Sequence, residues 1–489
     1  MKLKDIKLGV GLFIFTCVIL LSYIVKHFSN DTFMIVRYGY QGYAINYSFL
    51  DGRVFMGCIS LIAEKLKLPI FTYNRILMIL AIIVSVIAVI KLKNIVLKYK
   101  KVESKTGKAL LIIACYYTIF HFFHIVNLYF AEGFVMSLSV LFYIIAADIM
   151  VDNKRYFKTF VFLLLGIFSY QATISMFFIS VILFSMLKEE SLKEIIINFI
   201  KAIIFALIVI GINYCEILIV QKVFGIEQER ITGTLFENIT LCLYNIWEVL
   251  VFTADKFPKY LFLAFILIIE VLVQYNTFRY NKNKKGERFL IEQIFLVVFG
   301  IAVSFIPSIL TLTAFFSGRL RFSMGATIGI LFIHIITKSD FVNNKKIGSK
   351  LLICVLIVYA ITNSVNYVYL TLLNQKTNEL DVRDVYVLDE YISEYEKENN
   401  IKVTKIAVML EANDMGKFHD EVKTKRNSFA ISTLRVEWSV DGFINYYTGR
   451  NLERLTRTYE MIELYVENLD QTRHYTCIGD TLYISVYHF

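Results

Sequence analysis

The run TFVFLLLGIFSYQATISMFFISVILFSML, residues 159–187, is apolar throughout except at its centre, where Ser169, Tyr170, Gln171, Ala172 and Thr173 interrupt it. At 1.5 Å per residue each arm reaches only about 20 Å, short of the ~30 Å hydrocarbon core that a spanning helix must cross. The run therefore reads as two short helices turning at SYQAT. DNKRYFK precedes it and KEESLKEIIINFIK follows it. Because Lys and Arg gather on the cytoplasmic side of membrane spans, both ends are expected there, and the run makes an even number of crossings. Tyr170 and Gln171 then line an outward-facing cavity, since irregular backbone at membrane depth must face protein or water.

Counting outward from this hairpin orders the rest of the chain. A first span at 8–25 follows Lys2, Lys4 and Lys7 and runs outward, leaving an external loop at 26–73. A helix at 54–67 within that loop reads as interfacial. The second span, 73–90, returns to the very basic KLKNIVLKYKKVESKTGK. Spans at 109–126, 134–151, 202–220, 260–274, 289–312, 322–337 and 351–370 complete a polytopic α-helical membrane protein with about eleven transmembrane helices. The N-terminus is expected in the cytoplasm. Residues 1–373 form the membrane domain, and 374–489 a small external α/β domain with a helix at 380–397, strands at 403–410 and 482–487, and helices at 442–447 and 455–469.

Composition agrees with this class. Of 489 residues 57% are hydrophobic and only 19% charged, against about a quarter in soluble proteins. The mean hydropathy is +0.59. The net charge of +10 comes from clusters beside apolar spans, so no nucleic-acid partner is expected. The seven cysteines lack metal-ligand or disulfide spacing.

Topology sorts the unusual polar residues onto one side. Asp31, Arg37, Asp51 and Arg53 in the first loop, Glu132 before the fourth span, Tyr170 and Gln171 in the hairpin, and Arg319 and Arg321 before a late span all fall on the external face. Asp31 is suited to accept a proton from a hydroxyl, although Asn30-Asp31-Thr32 also reads as a helix start. Glu132 is favoured by a helix dipole whatever else it does. Arg319 and Arg321 defy the positive-inside trend, and guanidinium forks suit phosphate oxygens; lipid anchoring by snorkelling is the plainer alternative. His121 and His124 share a helix face but lack a clear third ligand, so no metal site is assigned.

These residues resemble those of the integral-membrane glucosyltransferases of the serotype-converting Gtr type II kind, which modify O-antigen and related bacterial cell-surface polysaccharides. The points of similarity are Asn30, Asp31 and Arg37 after the first span, Gly52-Arg53 at the end of the loop, Glu132 and Met136 at the fourth span, Tyr170-Gln171 in the broken fifth, and Arg319 or Arg321 before a late span. The sequence departs from the pattern at Asn30, where the first acidic residue is expected, and at Glu132, where aspartate is expected. The resemblance implies a GT-C-like glycosyltransferase that moves a hexose, glucosyl by analogy, from a polyprenyl-phosphate donor to a cell-surface glycan with inversion. Asp31 and Glu132 would be catalytic, with Asp31 the general base. Arg319, Arg321, Arg37 and Arg53 would bind the donor phosphate, and Tyr170 and Gln171 the sugar. No cofactor is implied, and a divalent metal is left open. The expected partners are the lipid-linked sugar, the acceptor glycan, membrane lipid, a donor-synthesising glycosyltransferase and a flippase; the C-terminal domain would bind acceptor. A flippase or transporter, or a polymerase of lipid-linked glycans, is the alternative.

Overall fold

The computed structural model describes residues 3–25, 27–226, 234–252, 260–280, 284–310, 318–337, 347–410, 432–468 and 474–486. Among them, five helices are long and apolar enough to cross a membrane: Ile70–Tyr99, Gly133–Asp152, Leu192–Phe224, Gly286–Ile309 and Gly348–Asn399. The bent pair Leu3–Ile19 and Leu21–Phe49 makes six if taken as one span. Helices of this kind with outward apolar side chains, such as Ile200, Leu207 and Ile219, mark a membrane-embedded protein. The other apolar helices, among them Tyr156–Ser169 and Phe322–Thr337, are shorter than a span.

The chain opens with α1 (Leu3–Ile19) and α2 (Leu21–Val25). The stretch expected as a loop is instead helical: α3 (Asn30–Tyr43) kinks at Gly39, passes into a π-helical turn (Ala44–Phe49), and is followed by α4 (Val54–Lys65). Next, α5 (Ile70–Tyr99) continues well past the expected end of the second span. Its lysines do not stop it because they are neutralised by neighbours: Lys93 meets Asp5 at 2.7 Å, and Lys98 meets Asp148 and Asp152 at 2.8 Å each. Then come α6 (Lys105–Ile119), capped by Ser104, the short α7 (His124–Tyr129), and α8 (Gly133–Asn153), which packs against α5.

The interrupted run forms α9 (Tyr156–Ser169), a 3-10 turn (Gln171–Ile174) and α10 (Ser175–Leu187), as the sequence leads one to expect. Both outer ends lie beside the C-terminus of α8: Tyr156 follows it directly, and Lys188 Nζ donates to the Val151 carbonyl at 2.7 Å. The break sits partway along α8, where Tyr143 donates to the Tyr170 carbonyl at 3.2 Å and Ser139 meets Thr173 at 2.5 Å. The hairpin thus stops short of the far end of the bundle. Its turn forms a floor beneath the residues gathered there.

A capping box at Ser191 and Glu194 starts α11 (Leu192–Phe224), and α12 (Leu235–Phe252), α13 (Leu261–Tyr280), α14 (Lys284–Ser304), α15 (Ile306–Leu310) and α16 (Phe322–Thr337) follow. Close approach of α16 to α6 depends on Gly325 and Gly329, four apart on one face: a Cβ on Gly325 would fall 2.1 Å from His121, and one on Gly329 2.3 Å from Thr118. The histidines at 121 and 124 are consequently buried in the core, with His124 Nε2 bonded to Ser85 at 3.0 Å.

The last span and the helix expected at 380–397 are one helix, Ile347–Asn399, which runs through the change of composition at Asn374 unbroken. Neither Gly nor Pro occurs between Ser349 and Asn399, so nothing in the backbone ends it. It carries a four-stranded sheet in the order β2-β1-β4-β3, from β1 (Lys405–Leu410), β2 (Glu453–Arg454), β3 (Tyr475–Ile478) and β4 (Thr481–Val486). The sheet is parallel except for the β3–β4 hairpin. Alternation divides β1: Ile406 and Val408 pack with Val385, Leu388 and Ile392 of the long helix, while Ala407 and Met409 face Tyr465. Helices Val440–Thr448 and Tyr459–Asn468 complete the unit. The second begins at Tyr459, later than expected, after the edge strand Glu453–Arg454.

Candidate active site

Asp31 lies in the first turn of α3, where the helix dipole favours a carboxylate. Two contacts hold this turn: Ser29 N donates to Thr32 Oγ1 at 3.1 Å, and Asn74 of α5 donates to the same oxygen at 3.0 Å. The helix begins at Asn30 after Ser29, so Asp31 is not its cap. Its Oδ1 instead accepts a hydrogen bond from the Trp438 indole Nε1 at 3.1 Å.

Glu132 immediately precedes α8 but makes no capping bond to it. Its carboxylate accepts from the Tyr43 hydroxyl at 2.8 Å, and Arg53 Nη1 lies 2.8 and 2.7 Å from its two oxygens. Arg53 also meets Asp51 at 3.3 Å, and its guanidinium lies 5.4 Å from the centre of the Tyr170 ring. The turn that aims Arg53 is clamped from below. Gln171 Nε2 donates to the Asp51 carbonyl at 2.6 Å, and Asn213 of α11 donates to the Gly52 carbonyl at 2.9 Å. Gly52 has φ +70°, and a Cβ there would lie 2.4 Å from Asn213 and 2.8 Å from Gln171, so both backbone geometry and space require glycine.

Arg319, in the 3-10 turn Gly318–Leu320, reaches the same place. Its guanidinium lies 4.9 Å from the Phe130 ring centre, and its charge acts on Asp31, Glu132 and Tyr170 alike. The adjacent Leu320 packs with Met136, Tyr170 and Ala172. Residues from stretches as far apart in sequence as Asp31 and Trp438 thus converge at one end of the bundle. The lysine-rich contacts at Lys93, Lys98 and Lys188 lie at the other end of α5 and α8.

The two carboxylates differ in kind. Burial, and then the charge of Glu132, push Asp31 up to about 6, against the pull of Arg319, Trp438 and Arg53. Burial acts on Glu132 as well, but the Arg53 charge, the hydrogen bonds from Tyr43 and Arg53, and Arg319 outweigh it and hold that carboxyl below its usual range. One group is poised to exchange a proton near neutral pH while the other stays ionised, which is the division of labour found where two carboxyls have separate tasks.

The remaining expected site residues lie elsewhere or do something else. Arg37 is engaged in an ion pair with Asp441 at 3.0 Å. Arg321 is buried at the start of α16, with its charge felt by Cys242 of α12. Arg53 is committed to two carboxylates, and Gln171 to the backbone of the Asp51–Gly52 turn. Asn30 Oδ1 accepts from the hydroxyls of Tyr129 at 3.3 Å and Thr433 at 3.1 Å, which makes it a joint between segments. Among the described residues no three His, Cys, Asp or Glu side chains are grouped as metal ligands. Sequence reading does not single out Tyr43, Asn213 or Trp438. Only Trp438 carries a signal: it is one of two tryptophans in the chain.

No protein-family model matches the chain, and no curated protein matches it.

Proposed function

We propose that this protein is a membrane glycosyltransferase that moves a hexose from a polyprenyl-phosphate donor to a cell-surface glycan, with inversion at the anomeric carbon. The observation that carries this reading is the meeting of Asp31, the Glu132–Arg53 pair, Arg319 and Tyr170 at one end of a bundle of apolar helices. In this reading the end is external, the lysine-rich end is cytoplasmic, and the chain crosses about eleven times when the short helices are counted. A donor held in lipid suits such a place, because it delivers an activated sugar without a nucleotide.

The chemistry follows from the roles of the groups. Asp31 takes the proton of the acceptor hydroxyl as its oxygen attacks the anomeric carbon. The bond from that carbon to the phosphate oxygen breaks, and polyprenyl phosphate leaves with the electron pair. Arg319 faces the charge that develops on the departing phosphate. Glu132 keeps Arg53 and Tyr43 in place, and Tyr170 forms the wall beneath the guanidinium. Arg37 and Arg321 have no part in this step.

Cells with and without the gene provide the test. Loss of one hexose side branch from a surface glycan, with the backbone polymer still exported at normal length, is the expected result. Accumulation of unexported lipid-linked glycan would point to a flippase, and shortened polymer to a polymerase; either would defeat the proposal.

A further inference from the structure

Trp438 comes from the C-terminal unit, 407 positions along the chain from the carboxylate that it touches. Its delivery is strongly specified. On one side, Thr433 Oγ1 donates to Asn30 at 3.1 Å, while Thr433 N and Ser432 Oγ donate to Asp381 of the long helix at 2.7 and 2.5 Å. On the other, Asp441 pairs with Arg37, and Gly442 lies so close that a Cβ there would fall 2.3 Å from the Phe33 carbonyl oxygen. Phe443 packs edge-on against Phe33 at 4.7 Å. Arg454 ties together residues on either side of Trp438 in the chain, donating to the Glu437 carbonyl at 2.5 Å and lying 3.3 Å from Asp441. Asn30, Phe33 and Arg37 bracket Asp31 on α3, so the C-terminal unit is docked around the carboxylate. A module that only captured acceptor would not need that fit.

We infer that Trp438 is a positioning residue for Asp31, so that the C-terminal unit completes the catalytic centre. The inference deepens the proposed reaction and rests on Asp31 being its base. The indole N–H donates to the carboxylate, fixing its rotamer and favouring its ionised form. It works alongside the other groups facing Asp31: Glu132 at the start of α8, Arg53 before α4, Arg319 before α16, Tyr43 of α3 and Tyr129 of α7.

The test compares full-length wild type with Trp438→Phe, which keeps an aromatic ring and loses the donor. Two readouts are taken: the pH at which dicyclohexylcarbodiimide modifies half of Asp31, followed by mass spectrometry, and kcat and acceptor KM across pH. In Trp438→Phe the half-modification pH should rise by about half to one unit. The kcat should fall about tenfold with KM little changed, and the acid limb of its pH profile should move upward. Trp438→His, which retains an N–H, should restore part of both, and it replaces the phenylalanine variant if that one gives no folded protein. Unchanged half-modification, or a raised KM at unchanged kcat, would overturn the inference. If the wild type transfers no hexose but the half-modification pH still moves, positioning stands and the proposed reaction falls. Transfer by the wild type without that movement leaves the reaction standing and removes the positioning role.

Discussion

Asp31→Asn should abolish hexose transfer while making the protein more stable. Removal of a general base costs about 10²- to 10⁴-fold in rate, and an amide at position 31 cannot take the acceptor proton. The stability effect follows from the raised pKa of the carboxyl. An ordinary aspartate titrates near 3.9 and Asp31 at about 6, so between those pH values the folded state binds more protons than the unfolded one. Stability from this group is therefore greatest below the unfolded value, falls as pH rises through the window, and stays lower above 6. At neutral pH the ionised, buried carboxylate costs on the order of 3 kcal/mol. The neutral asparagine avoids that cost and retains an oxygen for Trp438. The midpoint of thermal unfolding in detergent should rise by a few degrees relative to wild type at pH 7.5, and the gap should close near pH 4. A variant that lost activity together with stability at pH 7.5 would mean that Asp31 is structural.

Arg53→Met should have the opposite effect on stability and the same effect on activity. Glu132 is fully enclosed and depends on Arg53 for both of its oxygens. Removal of one partner from a buried ion pair costs about 3–5 kcal/mol, because the survivor keeps its desolvation penalty without its compensation. The sign of the pH dependence is fixed by the lowered Glu132 carboxyl. Its contribution is present above the unfolded value, near 4.3, and is lost as pH falls through the folded one. The variant should therefore differ most from wild type at neutral pH and least below pH 4. Glu132→Gln added to Arg53→Met should recover much of the unfolding midpoint but not the activity. Failure of the second substitution to recover stability would mean that Arg53 acts through Asp51 or Tyr170 instead.

Much of the grouping of these residues can be anticipated from the sequence, because apolar runs and their interruptions are written in composition. The broken run at residues 159–187, the lysine clusters, and arginines in an otherwise apolar setting at 319 and 321 follow from the cost of placing charge and irregular backbone in lipid. What is harder to read depends on long-range packing. The helical form of residues 30–49 is hidden by Gly39, Gly42 and four tyrosines, residues of weak helix propensity that α5, α8 and the C-terminal unit nevertheless hold in place. The separation of Arg53 from Arg37 is equally hidden, since both are arginines in one short stretch and only the fold gives one to Glu132 and the other to Asp441. The two-residue strand Glu453–Arg454 has no pattern of its own and exists because Lys405 and Ile406 offer an edge to pair with. Trp438 is a case of the same kind: nothing in its neighbourhood announces a partner at Asp31.

The most direct measurement of the central claim is transfer by the purified full-length protein in liposomes containing a radiolabelled polyprenyl-phosphate hexose, with a cell-wall glycan fraction supplied as acceptor. The expected result is label in the glycan and an equal amount of free polyprenyl phosphate in the lipid phase, with both absent from Asp31→Asn protein of intact fold. Movement of labelled lipid between leaflets without either product, or equal transfer by wild type and Asp31→Asn, would contradict it.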